Sequence, residues 1–263
     1  MATPETQRRI VVVSGGGTGI GRAVCAAFAA EGAEVVALGR RAEPLERTAK
    51  ELTAEHAAAG GSVRALTADL TEPAEAERVR DDLRAAYGRV DVVVNNAGGN
   101  VLVGAPEGAA DGLAGAAWHW TGNFRSNVLT AVLLTEALRD LLAAPGGRVV
   151  LLSSIAAYRG SGAGSYAGAK AALHPYMYDL AADLGPRGVT VNTVAPGYIA
   201  ETEFFGPDGV ADARRRMLVE QAMNRRAGAP ADVAETVRWL ASPAAGHVTG
   251  QIIQVNGGAE KGR

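Results

Sequence analysis

Residues Ile10-Val-Val-Val-Ser-Gly-Gly-Gly-Thr-Gly-Ile-Gly21 decide the fold of this chain. Ile10–Val13 are four β-branched residues in a row, the composition of a strand buried on both faces. A run of glycines follows, and an Ala-rich segment of helical composition, 19–31, begins inside it. Glycine permits a positive φ and lets backbone approach a ligand closely. A helix that opens from such a turn offers free N–H groups and the positive end of its dipole to a pyrophosphate. A turn with only packing work is the competing reading. The apolar strand before it, the helix after it and a second strand at Val35–Leu38 favour phosphate binding. Gly15, Gly17, Thr18, Gly19 and Ile20 are the candidate contacts.

Outward from this unit the pattern repeats. Val63–Thr67, Val90–Val94, Val149–Leu152, Val189–Val194 and Ile252–Val255 read as further buried strands. Between the strands, 43–59, 73–87, about 120–143, 165–185, about 208–224 and 230–241 read as helices, with Pro44 and Pro73 in first turns and Gly32, Gly60 and Gly88 after helix ends. Strands alternating with helices predict an α/β fold: one domain over 1–263, a Rossmann-type doubly wound parallel sheet of about seven strands with helices on both faces. The least regular stretches, 99–119 and 200–210, follow strand ends, where ligands bind in such sheets.

Composition narrows the classes. There are 26 Lys plus Arg against 28 Asp plus Glu and no long charged block, so nucleic acid is not an expected partner. No apolar run approaches the roughly 20 residues of a membrane span. Met1–Arg9 is polar and carries Glu5, unlike a secretory signal. Cys25 is the single cysteine, expected as a small core residue, which fits a reducing, cytoplasmic setting. Four scattered histidines without paired spacing predict no metal site.

The second strand ends Ala37-Leu-Gly-Arg-Arg41. An acidic residue here would bind a ribose 2′-hydroxyl, whereas guanidinium groups match a 2′-phosphate in charge and geometry. Arg40 and Arg41 therefore predict NADP(H). Two solvated arginines would be the alternative without the glycine turn beside them.

Ser165-Tyr-Ala-Gly-Ala-Lys170 places Tyr166 and Lys170 one helical turn apart. The chain has only three lysines, Lys50, Lys170 and Lys261, so one beside a tyrosine stands out. An ammonium next to a phenol favours the phenolate, and a lowered Tyr166 pKa is the expectation.

In order, these residues make the chain resemble the short-chain dehydrogenase/reductase family over nearly its whole length. The motifs are Ser14-Gly15-x-x-x-Gly19-Ile20-Gly21, Asp69-Leu70, Asn95-Asn96-Ala97-Gly98, Trp120 with Asn127, Ser154, Tyr166 with Lys170, Pro196-Gly197, Gly250-Gln251 and Asn256-Gly257-Gly258. The resemblance implies a catalytic set of Asn127, Ser154, Tyr166 and Lys170. Tyr166 would protonate a carbonyl oxygen, Ser154 would hydrogen-bond it, Lys170 would hold ribose hydroxyls and Asn127 would support a water-linked path to Lys170. It also implies cofactor contacts at Asp69, Leu70, Asn96, Ala97, Gly98, Tyr166, Lys170, Pro196, Gly197, Ile199 and Thr202, and a homotetramer.

Three departures from the family pattern matter. Ser153 is thirteen residues before Tyr166, the usual family interval, and Ser154 is twelve; counting from Gly147-Arg148 along the strand favours Ser154. Glu201 stands where the family commonly has threonine, with Thr202 next, so Thr202 is assigned to the nicotinamide amide or a phosphate. The stretch from Gly98 to Trp120 is long, and shapes the substrate mouth or forms an inert surface loop. Residues 200–226 would be the substrate lid, with Phe204, Phe205 and Met217 as apolar surface and Arg214–Arg216 as a solvated helix face. Trp120 is expected in the core, His119 in the pocket or in water, and His174 in a structural role. The nearest resemblance is to bacterial 3-oxoacyl-carrier-protein reductases and polyketide ketoreductases. Three readings stand: an NADPH-dependent ketoreductase acting on a 3-oxoacyl (acyl-carrier) or polyketide-like ketone, a dehydrogenase of a free secondary alcohol such as a sugar or steroid, and a non-catalytic dinucleotide-binding or regulatory protein.

Overall fold

The structure is a computed structural model that describes residues 8–160, 162, 164–206 and 209–261. Most of the Met1–Arg9 segment, and residues 207–208 of the expected lid, lie outside the described residues. In chain order the main elements are β1 (Ile10–Ser14), α1 (Gly19–Ala29), β2 (Glu34–Gly39), α2 (Ala42–His56), β3 (Ser62–Thr67), α3 (Pro73–Tyr87), β4 (Val92–Asn95), α4 (Gly112–Phe124), α5 (Thr130–Leu138), β5 (Arg148–Leu152), α6 (Ala156–Arg159), α7 (Gly164–Leu184), β6 (Thr190–Pro196), α8 (Asp212–Gln221), α9 (Pro230–Leu240) and β7 (Ile252–Val255).

The seven strands form one parallel sheet in the order β3-β2-β1-β4-β5-β6-β7. The pleat divides each strand between two cores. Val11, Val13, Val35, Ala37, Val92, Val94, Val150 and Leu152 face α1 and α9, against Phe28, Val233 and Val237. Val12, Val36, Leu38, Val93, Val149 and Leu151 face α3, α5 and α7, against Val79, Leu83, Leu134, Leu138, Leu173 and Met177. Chain order reverses at the β1–β4 pairing, and the crevice outside the carboxyl ends of these strands is where such sheets bind ligands.

All seven expected strands are present within two residues. The helices differ more. α4 begins at Gly112, inside the stretch expected to be irregular, and α8 is shorter than expected at both ends. Glycine misled at the first point: a Cβ on Gly115 would lie 2.2 Å from the Ala110 carbonyl carbon, so Gly115 permits close packing within a helix rather than marking a loop. Trp120 is 52% exposed and is not a core residue; its ring edge covers Gly168 of α7, where a Cβ would come within 3.1 Å. α4 and α5 are joined by a π-helical turn, Arg125–Leu129, a device that re-aims side chains and is frequent at functional sites.

Candidate active site

The crevice contains a cleft of about 720 Å³. Its nucleotide end is built on the end of β1. The Ser14 hydroxyl accepts the N–H groups of Asn96 and Ala97, both at 3.0 Å, and so joins the ends of β1 and β4. Asn96 Nδ2 donates to the Ser14 and Gly15 carbonyls at 3.0 and 3.2 Å. Gly15 has φ +66°, and a Cβ there would lie 2.8 Å from Asn96 Nδ2. At Gly21 a Cβ would lie 2.0 Å from the Gly15 oxygen, so only glycine allows α1 to start this close to the turn. Thr48 of α2 donates to the Gly17 carbonyl at 2.9 Å and holds the turn from the other side. Cys25 packs behind it, fully buried, with burial pushing its thiol up to about 12.

Gly39, Arg40 and Arg41 continue the cleft wall beyond β2. Arg40 has no hydrogen-bonded carboxylate partner among the described residues. Arg41 Nη2 donates to Glu203 of the opposite wall at 2.5 Å. Leu70 lines the cleft but Asp69 does not. The Asp69 carboxylate turns back to accept the Thr71 N–H and hydroxyl at 3.0 and 2.9 Å. Burial works against its ionisation, yet these two donors, with Arg40 and Arg125 nearby, hold it below the usual carboxylate range.

The catalytic end is carried by α7. Tyr166 and Lys170 are both buried, at 7% and 5% exposure, and both border the cleft. Lys170 Nζ donates to the Leu152 carbonyl at 2.8 Å and lies 6.0 Å from the centre of the Tyr166 ring. Burial pushes Tyr166 up to about 12, only partly offset by a hydrogen bond with Ser154. Burial pulls Lys170 down to about 8. The expected lowering of the Tyr166 pKa is therefore reversed here. Loss of water outweighs an ammonium that is engaged by a carbonyl rather than by the phenol.

The two serines separate by the pleat. The β5–β6 ladder runs on past Leu152, with Ser153 N–H donating to Val194 at 2.8 Å. Ser153 therefore falls on the Val149–Leu151 side, against α7. Its hydroxyl donates to the Lys170 carbonyl at 3.0 Å and meets His174 Nε2 at 2.9 Å. His174 has its pKa lowered by burial and so is neutral near pH 7, in a structural pair. Ser154 is the serine beside Tyr166.

Asn127 sits in the π-helical turn, buried and outside the cleft lining. Its Oδ1 accepts Gly99 N–H at 3.0 Å, while Nδ2 faces the Gly99 and Asn123 carbonyls at 2.7 and 2.9 Å. The amide thus clamps the backbone next to Gly98, where a Cβ would stand 3.2 Å from Lys170 Nζ. His119 is half-buried, its Nδ1 2.7 Å from Ser165 Oγ at the start of α7. On the far wall, Ala97, Gly98, Pro196, Gly197, Ile199 and Thr202 line the cleft, and Thr202 Cγ2 stands 3.4 Å from the Cβ position of Gly19. Glu201, immediately before Thr202, adopts a left-handed backbone, φ 59°.

Comparison with known proteins agrees with this architecture. A family model described as enoyl-(acyl carrier protein) reductase matches residues 15–260. The chain belongs to the short-chain dehydrogenase/reductase family. It is 31% identical to the 3-oxoacyl-[acyl-carrier-protein] reductase of Escherichia coli (strain K12) over 255 residues, covering 95% of this chain and 96% of that one. It is 33% identical over 253 residues to a (2S)-[(R)-hydroxy(phenyl)methyl]succinyl-CoA dehydrogenase subunit of Thauera aromatica, covering 96% of each. A short-chain dehydrogenase from Burkholderia cenocepacia, solved in complex with NADP, superposes with a TM-score of 0.82 at 31% identity, covering 96% of this chain and 97% of that one.

As a short-chain dehydrogenase/reductase the protein is an oxidoreductase of a family that binds a nicotinamide cofactor, and the reading as a non-catalytic binder is set aside. The fold brings all the sequence-expected site residues to one crevice except Asp69, which faces its own turn, and Asn127, which stands behind the wall. Sequence reasoning missed Gly99, Asn100, Val103 and Glu203 as lining residues. The first three show that part of the long segment after Gly98 borders the cleft, and Val103 Cγ1 stands 3.2 Å from the Cβ position of Gly206. Among the described residues no helix is long and apolar enough to cross a membrane, and no His/Cys/Asp/Glu cluster of metal-binding type occurs.

Proposed function

We propose that the protein is an NADPH-dependent ketoreductase acting on 3-oxoacyl or polyketide-like carbonyl compounds, free as thioesters or carried on an acyl carrier protein. The observation that carries this reading is the single cleft that joins a Tyr166–Ser154 pair at one end to the Arg40 and Arg41 side chains at the other. The glycine turn fits a dinucleotide, since Gly15, Gly17 and Gly19 border the cleft and the absence of a Cβ at Gly15 and Gly21 lets α1 begin hard against the end of β1. Gly15, Gly17, Thr18, Gly19 and Ile20 would hold the pyrophosphate, Arg40 and Arg41 the 2′-phosphate, and Leu70 the adenine. Asn96, Ala97, Gly98, Pro196, Gly197, Ile199 and Thr202 would hold the nicotinamide half, with Lys170 on its ribose. When bound, the nicotinamide supplies the hydride.

The chain's own part is proton supply and positioning. A phenol near pKa 12 is fully protonated at neutral pH, yet a much stronger acid than the alcohol being formed. Tyr166 therefore donates its proton to the carbonyl oxygen as negative charge grows there. Ser154 donates a hydrogen bond to the same oxygen, a stabilisation of oxyanion type. Lys170, charged below its lowered pKa, favours the phenolate left behind. Asn127, committed to the Gly99 backbone, holds the wall that places Lys170 rather than moving a proton itself. Phe204 and Phe205 meet edge to face, ring centres 5.0 Å apart, beside Tyr166 and Tyr198 and give the mouth an apolar side. They support residues 200–226 as a lid over an acyl chain. Assembly as a homotetramer, with α7 and the C-terminal segment at the contacts, and a cytoplasmic setting complete the proposal.

The test follows nicotinamide absorbance with NADPH and NADH across 3-oxoacyl thioesters, carrier-bound 3-oxoacyl chains, decalones and simple ketones. Turnover of thioesters with NADPH is expected. Turnover confined to sugars, steroids or simple secondary alcohols would instead establish the free-alcohol dehydrogenase.

A further inference from the structure

The segment after Ile199 is fastened to both ends of the cleft. At its base Ala200 N–H donates to Gly228 at 2.9 Å, fixing the backbone to the start of α9. Toward the catalytic end, Phe204 rests on Tyr166 with ring centres 5.3 Å apart. Toward the nucleotide end, the Glu203 carboxylate accepts Arg41 Nη2 at 2.5 Å and lies 3.5 Å from the Thr18 hydroxyl. Adjacent residues of one short turn, Glu203–Phe205, thus cover the proposed proton donor and occupy the proposed phosphate receiver.

We infer that Glu203 is a built-in competitor for the 2′-phosphate: it latches the lid onto Arg41, and a 2′-phosphorylated nucleotide takes Arg41 from it and frees Phe204 from Tyr166. The inference rests on the NADP(H) reading of Arg40 and Arg41. Three features support it. The pair is weak, because its side chains are 63% and 57% exposed, and exposed ion pairs are screened by solvent and salt. A phosphate binds a guanidinium through two parallel charged hydrogen bonds, so it is the stronger partner. Arg40 has no hydrogen-bonded carboxylate to give up among the described residues, Asp69 acting on it only through space, and it offers the incoming phosphate a first hold. Once the phosphate is in place, Glu203 would face a like charge across a few ångströms, which opposes re-latching.

The consequence is selectivity read through the lid. A nucleotide without a 2′-phosphate makes no claim on Arg41 and leaves the lid on Tyr166. Because coupling is reciprocal, whatever holds the lid shut must also weaken binding of the 2′-phosphate. Glu203 is then a specificity-determining residue although it touches neither nicotinamide nor carbonyl.

The experiment uses the full chain with two probes, adenosine 2′,5′-bisphosphate and 5′-AMP. Calorimetry gives their affinities, and amide exchange follows residues 203–206, where Gly206 N–H is bonded to the Glu203 carbonyl at 3.0 Å. In the wild type the bisphosphate is expected to speed exchange at 203–206 while protecting the glycine turn, and 5′-AMP to protect the turn only. In Glu203→Gln the bisphosphate should bind about two- to fivefold tighter, the range set by an exposed ion pair. Its 203–206 amides should exchange fast without ligand, and 5′-AMP affinity should not move. Glu201→Gln removes the same charge from an exposed neighbour that has no ion-pair partner among the described residues, and should reproduce none of this. Equal bisphosphate affinity in wild type and Glu203→Gln, with exchange at 203–206 insensitive to ligand, overturns the latch alone. A 2′-phosphate that adds no affinity, in the wild type and in Arg41→Ala alike, overturns the cofactor reading and the latch with it.

Discussion

The two ends of the cleft are built differently. At the catalytic end the polar atoms are buried and committed to backbone: Lys170 to Leu152, Ser153 to Lys170, Asn127 to Gly99 and Asn123. At the proposed 2′-phosphate end the charges are exposed and on loops, Arg41 paired with Glu203 and Arg40 with no hydrogen-bonded carboxylate among the described residues. A buried network has few alternatives, because breaking one bond strands a partner without water. An exposed ion pair can be exchanged at little cost. On the proposed reading, the contrast separates fixed geometry, for chemistry that tolerates little displacement, from adjustable contacts, for choosing a cofactor.

Substitutions at the committed end should have the largest effects. Tyr166→Phe deletes the proton donor while preserving the ring on Phe204. Turnover should fall at least about a thousandfold, within the range for general acids, with NADPH affinity nearly unchanged. Retention of most activity would end the proposed mechanism. Next, the adjacent serines should part company. Ser154→Ala should cost about a hundredfold in kcat, the scale of a lost oxyanion donor, with little change in melting temperature. Ser153→Ala should do the reverse: it removes the partner of the half-buried His174 Nε2 and loosens α7, costing about 1–3 kcal/mol of stability with a smaller loss of rate. If Ser153→Ala proved the catalytically dead variant, the assignment of the two faces of β5 would be wrong.

Much of this division was legible in the chain and some was not. The strands were clear because a sheet covered on both faces needs uninterrupted apolar runs, and Ile10–Val13 or Val149–Leu152 offer nothing else. The glycine turn, Tyr166 and Lys170 were clear because local geometry fixes them: a turn, a helix start, one helical repeat. Which of two neighbouring serines meets Tyr166 depends on how far the β5 pleat continues, a tertiary matter. Trp120 looked like core by size, yet it is half exposed, with only its ring edge against Gly168 of α7. Asp69 stands outside the cleft lining, with its Oδ1 accepting from Thr71, which no sequence pattern foretells. Glu203 and Arg41 are 162 residues apart, and no local pattern links them.

At the adjustable end effects should be smaller and should depend on salt. Arg41→Ala should weaken NADPH binding about tenfold at low ionic strength, in line with one charged hydrogen-bonding group, and leave NADH nearly untouched. The difference should shrink as salt rises, because the site is exposed. Equal losses for both cofactors would mean that Arg41 serves the lid and not the phosphate.

The smallest effect expected is also the most discriminating, because activity and stability should move in opposite directions with pH. Burial lowers Lys170 from 10.5 to about 8. If its charge assists proton donation by Tyr166, the rate of ketone reduction should be flat at lower pH, about half-maximal near pH 8, and falling beyond. Stability has the other sign. From about pH 8 to 10.5 the unfolded chain keeps the Lys170 proton that the folded chain has lost, so the unfolded state binds more protons and stability should rise with pH. Tyr166 acts oppositely, but only between its ordinary value near 10 and its raised value of about 12. Between pH 8 and 10, therefore, reduction should slow while the Lys170 contribution to the melting temperature increases. Lys170→Met isolates that contribution: the difference in stability between wild type and variant should narrow across this window. A difference that stays constant would mean Lys170 titrates at its ordinary value, and the fall in rate would then belong to another group.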